Sequence, residues 1–171
     1  MDLASMIRDV PDFPVPGILF KDITPLIQKP DAFKHVIDEL TSRYRDEHVD
    51  VIAAIESRGF IFGAPLAYTL GAGFVVVRKP GKLPSSSISE SYVLEYGTNA
   101  LEIHEDAIQP GQRVLVVDDL LATGGSARAT INLVERLGGE VVGVVFVIEL
   151  DFLNGRDQLA DYSIHSLVHF D

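Results

Sequence analysis

The densest run of chemistry-bearing side chains is Val114-Leu-Val-Val-Asp118-Asp119-Leu-Leu-Ala122-Thr123-Gly124-Gly125-Ser126. An apolar run ends in two carboxylates and passes into a Thr-Gly-Gly-Ser turn that opens a helical pattern. Such a turn can wrap a phosphate. Gly124 and Gly125 permit positive φ and close backbone approach, Thr123 and Ser126 offer hydroxyls, and a helix N-terminus presents unpaired N–H donors. Asp118 and Asp119 are poor partners for a phosphate. They suit sugar hydroxyls, or a Mg²⁺ that phosphates bring along. Phosphate beside diol-binding acids describes a ribose 5-phosphate. The plainer alternative is a strand-to-helix turn with Ser126 as its cap and two solvated acids. The Gly-x-x-x-x-Gly-Lys-Ser/Thr pattern of ATP-cleaving loops is absent from the sequence, so that chemistry loses its main support.

Two further groups draw attention. Ser57 and Arg58 follow a short apolar run, and Arg78, Lys79 and Lys82 form a basic cluster without an intervening acid. Taken alone, such a cluster near a loop is usually solvated surface. The five histidines, His35, His48, His104, His165 and His169, show no metal-ligand spacing. With no cysteine there is no thiolate metal site, thiol nucleophile or disulfide scaffold.

Elements that could position these groups follow from apolar periodicity. Val51–Ile55, Phe74–Val77, Val114–Val117 and Val141–Ile148 are uninterrupted apolar runs, the mark of strands buried on both faces. Helical spacing covers Asp31 to about Asp46, Gly59–Leu70 and Ser126–Leu137, with stops at Gly71 and at Gly138-Gly139. Alternation of this kind predicts an α/β fold: a central, mainly parallel sheet flanked by helices. Residues 88–96 and 101–104, separated by Gly97-Thr98-Asn99, read instead as an antiparallel hairpin. The polar stretch Gly81–Ser91 before it is expected to be a mobile loop. Proline density through the first thirty residues predicts an irregular segment there.

The 171 residues, 47% of them hydrophobic, fit one domain. A net charge of −11 argues against nucleic acid or an anionic membrane surface as the main partner. The longest apolar runs are too short to span a bilayer, and no secretory signal is expected.

The Val114–Ser126 segment closely resembles the 5-phosphoribosyl-1-pyrophosphate (PRPP) motif of type I phosphoribosyltransferases. Residues 15–25 (Val-Pro-Gly-Ile-Leu-Phe-Lys-Asp-Ile-Thr-Pro), Glu56-Ser57-Arg58-Gly59-Phe60, Arg78-Lys79-Pro80-Gly81-Lys82-Leu83-Pro84 and Leu94-Glu95-Tyr96-Gly97 resemble the branch of that family that takes adenine. The resemblance implies one domain over residues 1–171: an N-terminal hood over about 1–30, a flexible hairpin loop over about 81–104, and the PRPP motif at 114–126. It implies transfer of the phosphoribosyl group from PRPP to N9 of adenine, giving AMP and pyrophosphate, in purine salvage. Mg²⁺ would accompany PRPP, held mainly by PRPP and water, with no direct protein ligand. By the same resemblance Asp118, Asp119, Ala122, Thr123, Gly124, Gly125 and Ser126 hold the ribose phosphate. Ser57, Arg58, Arg78, Lys79 and Lys82 bind pyrophosphate, with Arg78 and Lys82 reaching it across a dimer interface. Leu19, Phe20 and Lys21 read adenine, Phe20 by stacking. Glu95 exchanges a proton with the base. A cytoplasmic homodimer is expected.

Ser126 departs from the threonine common in this family, but the hydroxyl is kept. Ser85-Ser86-Ser87 makes the loop unusually plain. Two other readings compete. A 6-oxopurine enzyme would want a cationic donor near the base, and residues 141–151 contain no Lys or Arg. A PRPP-sensing regulator would be expected to carry a basic nucleic-acid-binding extension, against an acidic chain.

Overall fold

Val51–Ile55 (β3) is apolar at every position and every residue is buried. Only a strand covered on both faces hides such a run, so helices must lie on either side of its sheet. The computed structural model describes residues 1–94 and 97–171, and it divides into two compact units, residues 1–40 and 41–171.

The first unit begins with a 3₁₀ turn at Ala4–Met6, followed by β1 (Arg8–Pro11) and β2 (Leu19–Asp22), then the short helix α1 (Thr24–Ile27) and most of α2 (Pro30–Tyr44). β1 and β2 pair antiparallel, Arg8 opposite Asp22 through Pro11 opposite Leu19. This corrects the expectation of an irregular segment. The prolines fall where they do no harm: Pro11 ends β1, and Pro14 and Pro16 lie in the connection to β2.

The second unit is built on a parallel sheet of five strands in the order β4-β3-β7-β8-β9, where β4 is Gly73–Val77, β7 Arg113–Leu121, β8 Glu140–Leu150 and β9 Ile164–Phe170. Helices α3 (Arg58–Leu70) and α4 (Gly125–Arg136) connect or follow these strands. The core is the strand interior with one face of α4: Val116, Phe146, Ile131 and Val134 are all buried to within 1% of full coverage. The α/β architecture with a central parallel sheet is as the periodicity predicts.

The strand order reverses at β3, whose neighbours are β4 on one side and β7 on the other. Helices leaving β3 and β7 part there, which opens a crevice beyond the strands' carboxyl ends. An antiparallel pair, β5 (Ser87–Leu94) and β6 (Gly97–His104), is joined to the β4 end through mutual backbone bonds between Arg78 and Glu102. Gly97, Thr98 and Asn99, expected to form the turn, are instead ladder residues opposite Leu94, Val93 and Tyr92. Ser87–Ser91, expected in the loop, belongs to β5. Among the described residues no helix is long and apolar enough to cross a membrane.

Candidate active site

β3 stops at Ile55, and Glu56-Ser57, joined by a cis peptide bond, lead into α3 at Arg58. The neighbouring strand, β7, carries Asp118 and Asp119 near its end and runs on through Ala122 and Thr123 into α4. These two turns form the walls of one cavity of about 360 Å³ at the strand-order reversal. Tyr92 and Leu94 of β5 and Phe146 of β8 complete its apolar lining.

Gly124 caps α4 in the left-handed region, φ 88° and ψ −1°. A Cβ there would lie 2.6 Å from the carbonyl oxygen of Gly155. The segment behind it is pinned as well. Gln158 Nε2 donates to the Thr123 carbonyl at 2.9 Å, and Arg156 donates to both oxygens of buried Glu149, at 2.5 and 2.8 Å. Burial pushes the Glu149 carboxyl up, but the hydrogen bonds from Arg156 and the charges of Arg156 and His169 outweigh it and hold the group below the usual range. The turn is thus clamped from behind, with the α4 N-terminus facing the cavity.

The acids divide their roles. Asp119 Oδ2 accepts a hydrogen bond from Arg58 Nε at 2.5 Å. Asp118 Oδ1 accepts the Asp119 N–H at 2.8 Å. Burial, then the charge of Asp119 beside it, pushes the Asp118 carboxyl well above the ordinary aspartate range. Asp118 is therefore hard to deprotonate, while the Arg58 guanidinium pairs with the Asp119 side chain. A group accepting and donating in this way suits the neighbouring hydroxyls of a ribose.

Of the residues named from sequence, Ser57, Arg58, Lys79, Asp118, Asp119 and Ala122–Ser126 share the cavity wall. Arg78 and Lys82 are not part of that wall; Arg78 Nε and Lys82 Nζ both reach Glu56, at 3.3 and 2.7 Å. Leu19, Phe20 and Lys21 lie on β2 in the first unit, where the Phe20 ring meets Phe13 edge-on at 5.1 Å and Lys21 Nζ donates to Asp9 at 2.6 Å. Glu95 falls outside the described residues.

Sequence reasoning missed two neighbours. Tyr92 packs its ring on Gly125, where a Cβ would lie 2.9 Å from Cδ2. Glu56 gathers the basic arm. Neither has a local signal, because their partners lie more than twenty residues away.

The phosphoribosyl transferase domain family model matches residues 26–166. An adenine phosphoribosyltransferase of Chloroflexus aurantiacus is 60% identical over 169 residues, 99% of this chain and 98% of that protein. One from Acaryochloris marina is 61% identical over 170 residues, 99% and 100%. The crystal structure of the adenine phosphoribosyltransferase from Thermoanaerobacter pseudethanolicus superposes with a TM-score of 0.96 at 56% identity, covering 99% of this chain and 98% of that one. That of Saccharomyces cerevisiae, complexed with an imino-altritol bisphosphate and adenine, does so at 0.91 and 43%, covering 97% and 96%. With the Gly124 turn, the paired acids and end-to-end similarity in agreement, the chain belongs to the phosphoribosyltransferase family and, within it, to the adenine phosphoribosyltransferases.

Proposed function

We propose that this chain joins N9 of adenine to C1′ of PRPP, releasing pyrophosphate and forming AMP, in a Mg²⁺-dependent reaction at the β3–β7 crevice. The observation that carries the assignment is the union, in one cavity, of the left-handed Gly124 turn and the Asp118–Asp119 pair. The turn's amides and hydroxyls suit the 5′-phosphate, and the acids suit the 2′- and 3′-hydroxyls.

As the C1′–O bond breaks, positive charge grows on the ribose and negative charge on the leaving pyrophosphate. Ser57 and Arg58 on the cavity wall, with Arg78, Lys79 and Lys82 as a basic arm, stabilise that leaving charge. Asp118 and Asp119 face the developing cation from the sugar side. The oxygen-only side chains of the two acids are compatible with Mg²⁺ beside them, the ion itself being held mainly by PRPP and water with no direct protein ligand. When bound, the ion would neutralise charge on the pyrophosphate.

Base recognition in this reading belongs to Leu19, Phe20 and Lys21, with the Phe20 ring stacked on the purine. The absence of Lys or Arg from 141–151 supports a 6-amino rather than a 6-oxo purine. Glu95 exchanges a proton with the base. Replacing Glu95 by glutamine should lower kcat about a hundredfold while barely changing PRPP binding. Turnover unchanged across pH would remove that role. A cytoplasmic homodimer presenting Arg78 and Lys82 at its interface completes the reading.

The test is a substrate panel. With PRPP and Mg²⁺, adenine should be converted with a kcat/KM at least about a hundredfold above hypoxanthine or guanine, and Mg²⁺ removal should abolish turnover. Faster conversion of either 6-oxopurine overturns the assignment; so does PRPP binding without AMP formation, the behaviour of a sensor.

A further inference from the structure

Glu56 sits at the seam between β3 and the basic arm. Its N–H donates to the Val77 carbonyl at 3.0 Å, adding one bond to the β3–β4 ladder. Its side chain, 7% exposed, turns toward the residues after β4. Oε1 accepts the Lys79 N–H at 2.7 Å and Arg78 Nε at 3.3 Å, and Oε2 accepts Lys82 Nζ at 2.7 Å. The same segment is gripped from its other side. Gly81 N–H donates to Glu102 Oε1 at 2.8 Å, and Arg78 and Glu102 exchange backbone bonds of 3.0 and 2.7 Å.

A buried carboxylate beside groups assigned to an anion repels that anion. Something must offset the repulsion, and the hydrogen bonds show what can. Glu56 engages Arg78 through Nε and Lys82 through a single proton. The guanidinium keeps two terminal nitrogens, and the ammonium two protons, for another acceptor. Long basic side chains lose the most rotamer freedom when fixed, so fixing them in advance spares a ligand that cost.

We propose that Glu56 is a positioning residue that holds Arg78, Lys79 and Lys82 as a preorganised pyrophosphate-binding arm. The proposal rests on the reading of those cations as pyrophosphate ligands. Glu56 is suited to the task because it stays ionised. Burial pushes its carboxyl up, yet the hydrogen bonds from Lys82 and Lys79 and the charges of Lys82 and Arg78 outweigh burial and hold it below the usual range.

The experiment is the reverse reaction, AMP plus pyrophosphate, with the KM of each substrate measured separately. Glu56→Gln keeps an acceptor for the Lys79 N–H but loses the charge that holds Arg78 and Lys82. It should raise the pyrophosphate KM about tenfold and leave the AMP KM within about twofold. Glu56→Asp keeps the charge but draws it back by about 1.5 Å, and should also raise the pyrophosphate KM selectively. Lys82→Met should raise it about tenfold, and the Glu56→Gln/Lys82→Met double variant little further, because both changes remove one unit of function. An unchanged or lowered pyrophosphate KM in both Glu56 variants, beside a raised one in Lys82→Met, overturns the positioning role alone. Equal rises in the two KM values also overturn it, since general loosening would do that. No effect of Lys82→Met overturns the pyrophosphate reading on which the proposal stands.

Discussion

Gly124→Val should lower kcat/KM for PRPP about a hundredfold, the penalty expected when bound groups are misplaced by about 1 Å. Gly124 has φ 88°, a region where a β-branched residue is a strained outlier. The added Cβ would also lie 2.6 Å from the Gly155 carbonyl, which is backbone and cannot rotate aside. Gly155 stands next to Arg156, whose guanidinium is fixed on both oxygens of Glu149. The turn must therefore yield, and it carries its own amides and hydroxyls with it. Gly125→Ala supplies the contrast. Its Cβ would meet the Tyr92 ring at 2.9 Å, a side chain that can swing away, so only a roughly threefold to tenfold loss is expected. Steady-state kinetics with PRPP varied distinguish the two. A Gly124→Val enzyme with the parent KM would mean that the phosphate lies elsewhere.

Asp118→Asn should do two opposite things: reduce kcat/KM for PRPP by roughly thirtyfold or more, and raise the melting temperature at neutral pH. Burial and the Asp119 charge push the Asp118 carboxyl well above its ordinary range. The folded chain therefore holds that proton to higher pH than the unfolded chain does. Stability from this group is fully present below the unfolded aspartate pKa of about 3.9 and falls as pH rises through the higher folded value. Above the folded value the penalty is complete. Asparagine removes it and keeps an oxygen for the Asp119 N–H, which Asp118 accepts at 2.8 Å. Each kcal/mol recovered should appear as about 2–4 °C in the melting midpoint. Melting curves across pH test the sign, because the advantage of the variant should grow from acid toward neutral pH. A variant less stable than the parent at neutral pH would contradict this account of the acid pair.

Much of this was legible from residue patterns, and the failures have physical reasons. β3 falls on the expected residues, Val51–Ile55, because burial on both faces leaves an unbroken apolar run with polar neighbours at each end. β7 and β8 extend past their apolar runs, β7 through Asp118 and Asp119, because a ladder continues wherever backbone partners exist, whatever the side chains. β9 escaped notice for a related reason. Ile164–Phe170 interleaves His165, Ser166 and His169 among apolar residues and lies at the edge of the sheet, so its pattern never becomes a continuous apolar block. Gly97-Thr98-Asn99 has the composition of a turn, but the pairing of Ser87 with His104 carries the register through to Leu94 and Gly97 and makes ladder residues of all three.

The site divides in the same way. Its contiguous part, Asp118 to Ser126, is a local motif whose order alone implies phosphate next to acids. The arm gathered by Glu56 is not local. Glu56 lies 22 to 26 residues before the groups that it holds, and only the parallel alignment of β3 and β4 brings them together. The same distinction reconciles a net charge of −11 with an anionic substrate. Acid is spread over the whole chain, whereas Arg58, Lys79 and the amides of the Gly124 turn converge on one cavity. Global charge sets which large partners are repelled, and local donors decide what binds.

In the proposed function the Gly124 turn holds the 5′-phosphate while Asp118 and Asp119 hold the ribose hydroxyls. A crystal structure of the chain with AMP bound tests it most directly. Phosphate oxygens are expected within about 3 Å of the Thr123–Ser126 amides and hydroxyls, and the 2′- and 3′-hydroxyls at hydrogen-bond distance from the two carboxylates. A phosphate seated instead on Arg58, Lys79 and Lys82, with the Gly124 turn facing only solvent, would contradict it.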